Sequence, residues 1–105
     1  MSAGEDHPLP SHPETLRRLH ARLEPRHIEL LQALADAGKP STTAELAEAL
    51  GRKTQRSVSA LAYALTARYL VIHTPTQRNK ADQVPARWAL STRGAAVLRI
   101  HHDSA

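Results

Sequence analysis

The apolar and polar positions between Ser41 and Val71 predict two helices joined by a tight turn. Apolar residues fall at i, i+1 and i+4 in the first helix and at i, i+3, i+4 and i+7 in the second, so each helix has one buried face. Gly51 can end the first helix because glycine adopts positive φ without a steric penalty, and Thr54 is a suitable N-cap for the second. This arrangement is typical of a helix-turn-helix. The buried positions are Leu46, Ala47 and Leu50 in the first helix and Val58, Leu61, Ala62 and Leu65 in the second.

Two more helices are predicted before this pair, and each begins at a proline, which is favoured in the first turn of a helix. The first runs from Pro13 to Glu24 with a narrow leucine stripe, and the second begins at Pro25 and ends at Gly38. We expect Leu30 to lie off the buried face of the second helix. The leucine stripe is Leu16, Leu19 and Leu23, and the buried face of the second helix is Ile28, Leu31, Leu34 and Ala35.

The chain after the helix pair changes from a strand pattern to a loop, a second strand and a last helix. Residues 69–74 are β-branched and apolar enough for a strand, and residues 75–83 lack an apolar period, which predicts an exposed loop. Residues 84–90 alternate apolar and other side chains, as a half-buried strand does. Ser91 can cap the last helix, in which Gly94 is expected to weaken the first turn. The alternating apolar residues of the strand are Val84, Ala86, Trp88 and Leu90, and the apolar residues of the helix are Ala95, Val97, Leu98 and Ile100.

This order of elements is that of a winged helix-turn-helix, a mainly α fold with a small β-hairpin wing. Residues 42–71 (TTAELAEALGRKTQRSVSALAYALTARYLV) resemble the bacterial winged-helix regulators of the MarR and ArsR type, and residues 87–98 (RWALSTRGAAVL) resemble the strand and capped helix after their wing. Tyr69 departs from the pattern, because these families commonly place Gly or Asn there. The resemblance implies a transcriptional regulator that reads the major groove with the helix around residues 54–68 and flanking DNA with the wing around residues 75–86.

The same resemblance implies which side chains meet DNA, and their chemistry agrees with it. Gln can bridge adenine N6 and N7, Arg can bridge guanine O6 and N7, and cations beside a helix N-terminus meet phosphates. Tyr63 could contact phosphate or lie half-buried against the first helices, and the sequence favours neither. The expected DNA-binding residues are Gln55, Arg56 and Ser59 at the bases, Arg52, Lys53 and Thr54 at the helix entrance, Tyr63, and Arg78 and Lys80 at the wing tip.

The charge is divided between the two halves of the chain. Residues 1–50 hold five Lys or Arg against eight Asp or Glu, whereas residues 51–105 hold nine Lys or Arg against only Asp82 and Asp103. The basic half begins at the turn before the second helix of the pair and continues through the wing. Such segregation is expected of a protein that neutralises a phosphate backbone.

Composition and motifs argue against several other classes of protein. The absence of cysteine excludes disulfides and thiolate zinc sites, and the seven histidines lack the spacing of known metal motifs, so we expect surface histidines and no metal. Neither a phosphate-binding loop nor a nucleophile with an adjacent base indicates an enzyme, and no cofactor is expected. No apolar run approaches the roughly 18 residues of a membrane span. We therefore expect a non-enzymatic cytoplasmic protein.

The predicted organisation is a disordered tail over residues 1–12, a winged helix-turn-helix domain over residues 13–101 and a C-terminal tail over residues 102–105. The predicted function is sequence-specific binding of double-stranded DNA by a homodimer. Its interface could be the leucine stripe or the terminal helix, although the stripe could instead pack within its own chain. The alternative is a winged-helix protein-interaction module in a larger or phage–host assembly. That alternative does not explain why basic residues would lie on one side of the domain.

Overall fold

The computed structural model describes residues 12–51, 54–78 and 83–104. Three helices precede the helix that was predicted to read DNA, a hairpin follows it, and a last helix closes the domain. The elements are α1 (Pro13–Arg22), α2 (Pro25–Ala37), α3 (Thr43–Ala49), α4 (Gln55–Ala67), β1 (Val71–Thr74), β2 (Gln77–Arg78), β3 (Gln83–Val84), β4 (Arg87–Leu90) and α5 (Thr92–Ser104). The predicted order of helices and strands is confirmed.

The core lies where α2, α4, α5 and the hairpin meet. Large side chains from all of these elements are almost completely removed from water, which is the main favourable term in folding. The α4 face was predicted correctly, because its apolar period is not interrupted by any polar residue. The most deeply buried large side chains are Trp88, Leu30, Leu31, Leu46, Leu65, Leu70, Val58 and Val97.

The buried face of α2 differs from the prediction. Leu30 is fully buried, whereas Ala35 is exposed and Ile28 is only half-buried. The true face includes His27, whose polar side chain disguised the period in the sequence. Its Nδ1 atom accepts a hydrogen bond from the backbone N–H of Glu24 at 3.0 Å, so burying the imidazole does not leave that nitrogen unpaired. The buried residues of α2 are His27, Leu30, Leu31 and Leu34.

Burial gives His27 a defined effect on stability. Burial lowers the pKa of His27 from its ordinary value of 6.5, and the positive charges of Arg68 and Arg26 lower it further, against a smaller opposing effect of Glu24. The unfolded chain therefore takes up the proton first. We expect the free energy of unfolding to be highest above pH 6.5 and to fall as the pH drops toward the lowered pKa.

The measurement is denaturant unfolding at a series of pH values. The substitution His27→Gln should remove the part of the acid sensitivity that this residue causes, because a glutamine at this position can still reach the N–H of residue 24 without titrating. His12→Gln is the matched control, since His12 is exposed at the start of α1. An unchanged pH dependence in His27→Gln would contradict the assignment.

The first helix of the pair begins with a reciprocal cap. Thr42 is the N-cap of α3: its hydroxyl accepts from the N–H of Glu45 at 3.1 Å, and the Glu45 carboxylate accepts from the N–H of Thr42 at 2.8 Å. That bond lowers the pKa of Glu45. Gly51 follows the helix at φ 79°, as predicted. These contacts fix where α3 ends and therefore where the turn to α4 begins.

The hairpin is longer and more broken than predicted. The first strand begins at Val71 rather than at residue 69, because Tyr69 has a positive φ of 63°. Residues 77–78, expected in a loop, pair with residues 83–84 as a second short ladder. The expected continuous strand over residues 84–90 is interrupted before Arg87, since Pro85 cannot donate to a ladder. β1 and β4 form the base of the wing, and β2 and β3 extend it.

The ends of the domain also differ from the prediction. α1 ends at Arg22 instead of Glu24, and α5 continues through Ser104, so residues 102–104 are helical rather than a tail. The leucine stripe packs within its own chain, because Leu16 is buried and Leu19 and Leu23 lie against the core. Residues 1–11, most of the expected N-terminal tail, lie outside the described residues.

Gly94 has a packing role that the sequence did not reveal. Ser91 caps α5 as predicted, since its hydroxyl accepts from the N–H of Gly94 at 2.9 Å. A Cβ added at Gly94 would collide with the carbonyl oxygen of Leu70 and would lie 2.8 Å from Cδ1 of Leu90. Only glycine allows α5 to approach the chain at Leu70 this closely.

We therefore expect Gly94→Ala to destabilise the protein by about 1–3 kcal/mol, the usual cost of overpacking. Helix propensity alone predicts the opposite sign, a gain of about 1 kcal/mol. Thermal unfolding distinguishes the two. The control Ala95→Gly, at an exposed neighbouring position, should show only the propensity cost. A more stable Gly94→Ala protein would show that the close approach is not required.

Candidate nucleic-acid interface

The outer face of α4 carries the side chains that were predicted to read bases. Val58, Leu61, Ala62 and Leu65 point into the core, so the opposite side of the helix faces solvent. Gln55 and Arg56 are exposed, and Ser59 is half-buried beside them. Neither Gln55 nor Arg56 has a hydrogen bond or ion pair with another described residue. Their donors and acceptors are therefore available to a partner that lies along this face.

The N-terminus of α4 is capped by Thr54. Its hydroxyl accepts from the N–H of Ser57 at 3.1 Å, and the Ser57 hydroxyl donates to the carbonyl oxygen of Thr54 at 3.1 Å. The Thr54 hydroxyl, expected at a phosphate, is thus engaged in holding the helix start. Arg52 and Lys53, predicted beside it, lie outside the described residues. The cap fixes the orientation of the first turn of α4.

Of the two basic residues predicted at the wing tip, only Arg78 lies in the part of the chain that the structure describes. Arg78 belongs to β2 and pairs with Gln83 of β3, so its backbone is fixed by the outer ladder. Lys80 lies outside the described residues. β1 and β4 connect the wing to the helices, and their antiparallel register pairs His73 with Trp88.

Tyr63 lies on the outer face of α4 and contacts the base of the wing. Its side chain remains 54% exposed. Its ring centroid is 4.9 Å from that of Trp88 and 5.2 Å from that of His73, in both cases edge-on. The ring contacts of Tyr63 are thus with β1 and β4, and its contact with phosphate stays a prediction. His73 is a neighbour that sequence reasoning missed, because only the strand register places it here.

The sequence predicted surface histidines, but not all of them lie at the surface. His27 is buried, and His20 and His101 share a hydrogen bond of 3.1 Å between α1 and α5. His102 bonds to Gln32 at 2.7 Å. Within residues 12–51, 54–78 and 83–104, no group of three His, Asp or Glu side chains is placed to hold a metal ion. In the same ranges no helix is long and apolar enough to cross a membrane.

Two solved structures have a similar backbone. One is the DNA-binding protein BpsR of Bordetella bronchiseptica, studied for the regulation of its DNA binding by 6-hydroxynicotinic acid. It matches with a TM-score of 0.63 and 20% sequence identity, and the match covers 82% of this chain and 69% of BpsR. The other, from Pseudomonas aeruginosa PA01, is assigned as a transcriptional regulator: TM-score 0.63, 25% identity, coverage 86% and 59%. The fold is a winged helix-turn-helix.

The winged helix-turn-helix of this chain spans only part of the two solved proteins, about two thirds of the first and less of the second. The chain matches no protein-family model. No curated protein is significantly similar to it. The likeness therefore identifies the architecture, with α4 as the second helix of the helix-turn-helix and β1 to β4 as the wing. What the exposed face binds has to be argued from its own side chains.

Proposed function

We propose that this protein binds double-stranded DNA sequence-specifically and regulates transcription. The observation that carries the proposal is that Gln55 and Arg56, on the outer face of α4 opposite a buried apolar face, are exposed and have no hydrogen bond or ion pair with another described residue. An α-helix of this kind fits the major groove, where amide and guanidinium groups distinguish adenine and guanine. Both structural neighbours are proteins of transcriptional regulation or DNA binding, which supports the same function.

The division of charge supports DNA rather than protein as the partner. Nine of the chain's Lys and Arg residues follow residue 50, and they include Arg56 on α4 and Arg78 in the wing. Phosphate neutralisation by such residues supplies most of the sequence-independent affinity for DNA. The proposed wing contacts, Arg78 and Lys80, meet flanking DNA, while Arg52 and Lys53 meet phosphates beside the start of α4.

The proposal includes a homodimer, which would place two copies of α4 on half-sites about 34 Å apart, one turn of the double helix. The leucine stripe of α1 is used inside the chain, so we assign the interface to the terminal helix α5. Its outward residues Ala95 and Arg99 are exposed. The proposal involves no catalytic step, because the exposed face of α4 offers binding groups and no nucleophile paired with a base.

The test of base reading is the substitution Arg56→Ala. After selection of bound sequences from a random DNA pool, this variant should bind the selected site more weakly by about 1–3 kcal/mol and lose its preference at one base pair. Arg18→Ala removes the same charge from an exposed position of α1 and should leave the selected sequence unchanged. If Arg56→Ala selects the same sequence as the unaltered protein, α4 is not the reading helix.

A further inference from the structure

Three aromatic rings connect the reading helix to the wing. His73 and Trp88 are partners across β1 and β4, and their rings stack with centroids 4.2 Å apart and planes inclined by 24°. Tyr63 of α4 meets both rings edge-on, nearly perpendicular to Trp88 at 89°. Aromatic pairs prefer edge-to-face and offset-stacked arrangements of this kind. We call Tyr63, His73 and Trp88 the aromatic cluster.

The cluster is anchored to the first helix of the pair through Trp88. The indole Nε1–H donates to the hydroxyl of Thr43 at 3.1 Å, and the backbone of Trp88 exchanges two hydrogen bonds of 2.8 Å with Ser41. Trp88 is only 1% exposed. The start of α3, the outer face of α4 and the base of the wing are thus joined at one point.

His73 packs against both of the other rings in this joint. It stacks on the buried indole of Trp88 and meets the exposed Tyr63 ring edge-on, while Tyr63 also contacts Trp88 directly. Its Nε2 atom is buried and has no hydrogen-bond partner among the described residues. The contribution of His73 to the joint is therefore ring packing, and a phenyl ring of similar shape should replace it.

We propose that His73 is a positioning residue for DNA binding, which fixes Tyr63 and the wing in one orientation relative to α4 so that helix and wing meet DNA as one rigid unit. The inference rests on the proposed function. A side chain held in its bound orientation loses less conformational entropy on binding than a free one. Tyr63 is more than half exposed yet held by two rings, and its spacing places it on the same face of α4 as Arg56 and Ser59.

The experiment measures how the wing contributes to binding in three backgrounds. In the otherwise unaltered chain, Arg78→Ala should reduce the slope of log affinity against log salt by about 0.9, the value for one phosphate contact. In the His73→Ala background, Arg78→Ala should produce no further change, because the wing is no longer held against the groove. In the His73→Phe background, the full effect of Arg78→Ala should return.

Ile72→Ala is the matched control, since Ile72 is half-buried on the same strand but points to the opposite face. It should leave the effect of Arg78→Ala intact. The circular dichroism spectrum and the melting temperature of each variant show whether the fold is retained. Failure of the unaltered protein to bind any duplex would refute the proposed function itself. Binding in which Arg78→Ala has the same effect with His73→Ala, or no effect in the unaltered chain, would overturn the role of His73 and leave the function standing.

Discussion

Raising the salt concentration from about 50 to about 200 mM is expected to weaken DNA binding by several hundred-fold for each chain, on the order of what five phosphate contacts predict. Each phosphate neutralised contributes about −0.9 to the slope of log affinity against log salt, because condensed counterions are released. A dimer should have a steeper slope than one domain. The contributing cations are Arg52, Lys53, Arg56, Arg78 and Lys80.

The measurement is a titration of labelled duplex at several salt concentrations. Arg18→Ala is the control, because Arg18 is exposed on α1 and paired with Glu14 at 3.1 Å, away from the proposed interface. Its slope should equal that of the unaltered protein, whereas loss of Arg78 should flatten it. Absence of binding at low salt, or an affinity that hardly responds to salt, would refute the DNA proposal and favour a protein-interaction module.

The helix-turn-helix could be predicted from sequence because each of its parts depends on local residues. Thr54 caps α4, Gly51 follows α3 with a positive φ, and the apolar period of α4 contains no polar interruption. Such signals act within one or two turns of chain. These local signals therefore do not depend on how the rest of the molecule packs.

The predictions are wrong where contacts between distant parts of the chain determine which residues are buried. Leu30 is buried because α2 is surrounded by several elements, and the polar His27 on the same face hid that fact. Gly94 was judged by helix propensity, although its neighbour across the core, Leu70, determines which residue fits. Contacts between residues far apart in the chain do not follow from periodicity.

The candidate site shows the same division. Arg56 could be placed on an exposed helix face from the period alone, and the structure puts it there. The partners of Tyr63 could not, because His73 and Trp88 come together only through the register of β1 and β4. A hairpin register follows from turn geometry and pairing, and the turn of this wing gave no distinct signal.

Leu16→Ala is expected to lower the free energy of unfolding by about 2–4 kcal/mol, because it removes a buried leucine from the contact between α1 and α5. For a domain whose whole stability is on the order of 5–15 kcal/mol, this is a large fraction. The oligomeric state should not change, since the side chain is used within its own chain.

Sedimentation and thermal unfolding of the same sample separate the two roles of the stripe. Ala21→Ser, at an exposed position of α1, is the control and should alter neither measurement. Replacing Leu16, Leu19 and Leu23 together with serine should unfold the protein near room temperature, because all three pack on the core. If the triple variant is instead a stably folded monomer that binds a palindromic site far more weakly, the stripe joins two chains, since the second half-site contact would no longer be intramolecular. The burial of Leu16 leads us to expect the loss of stability.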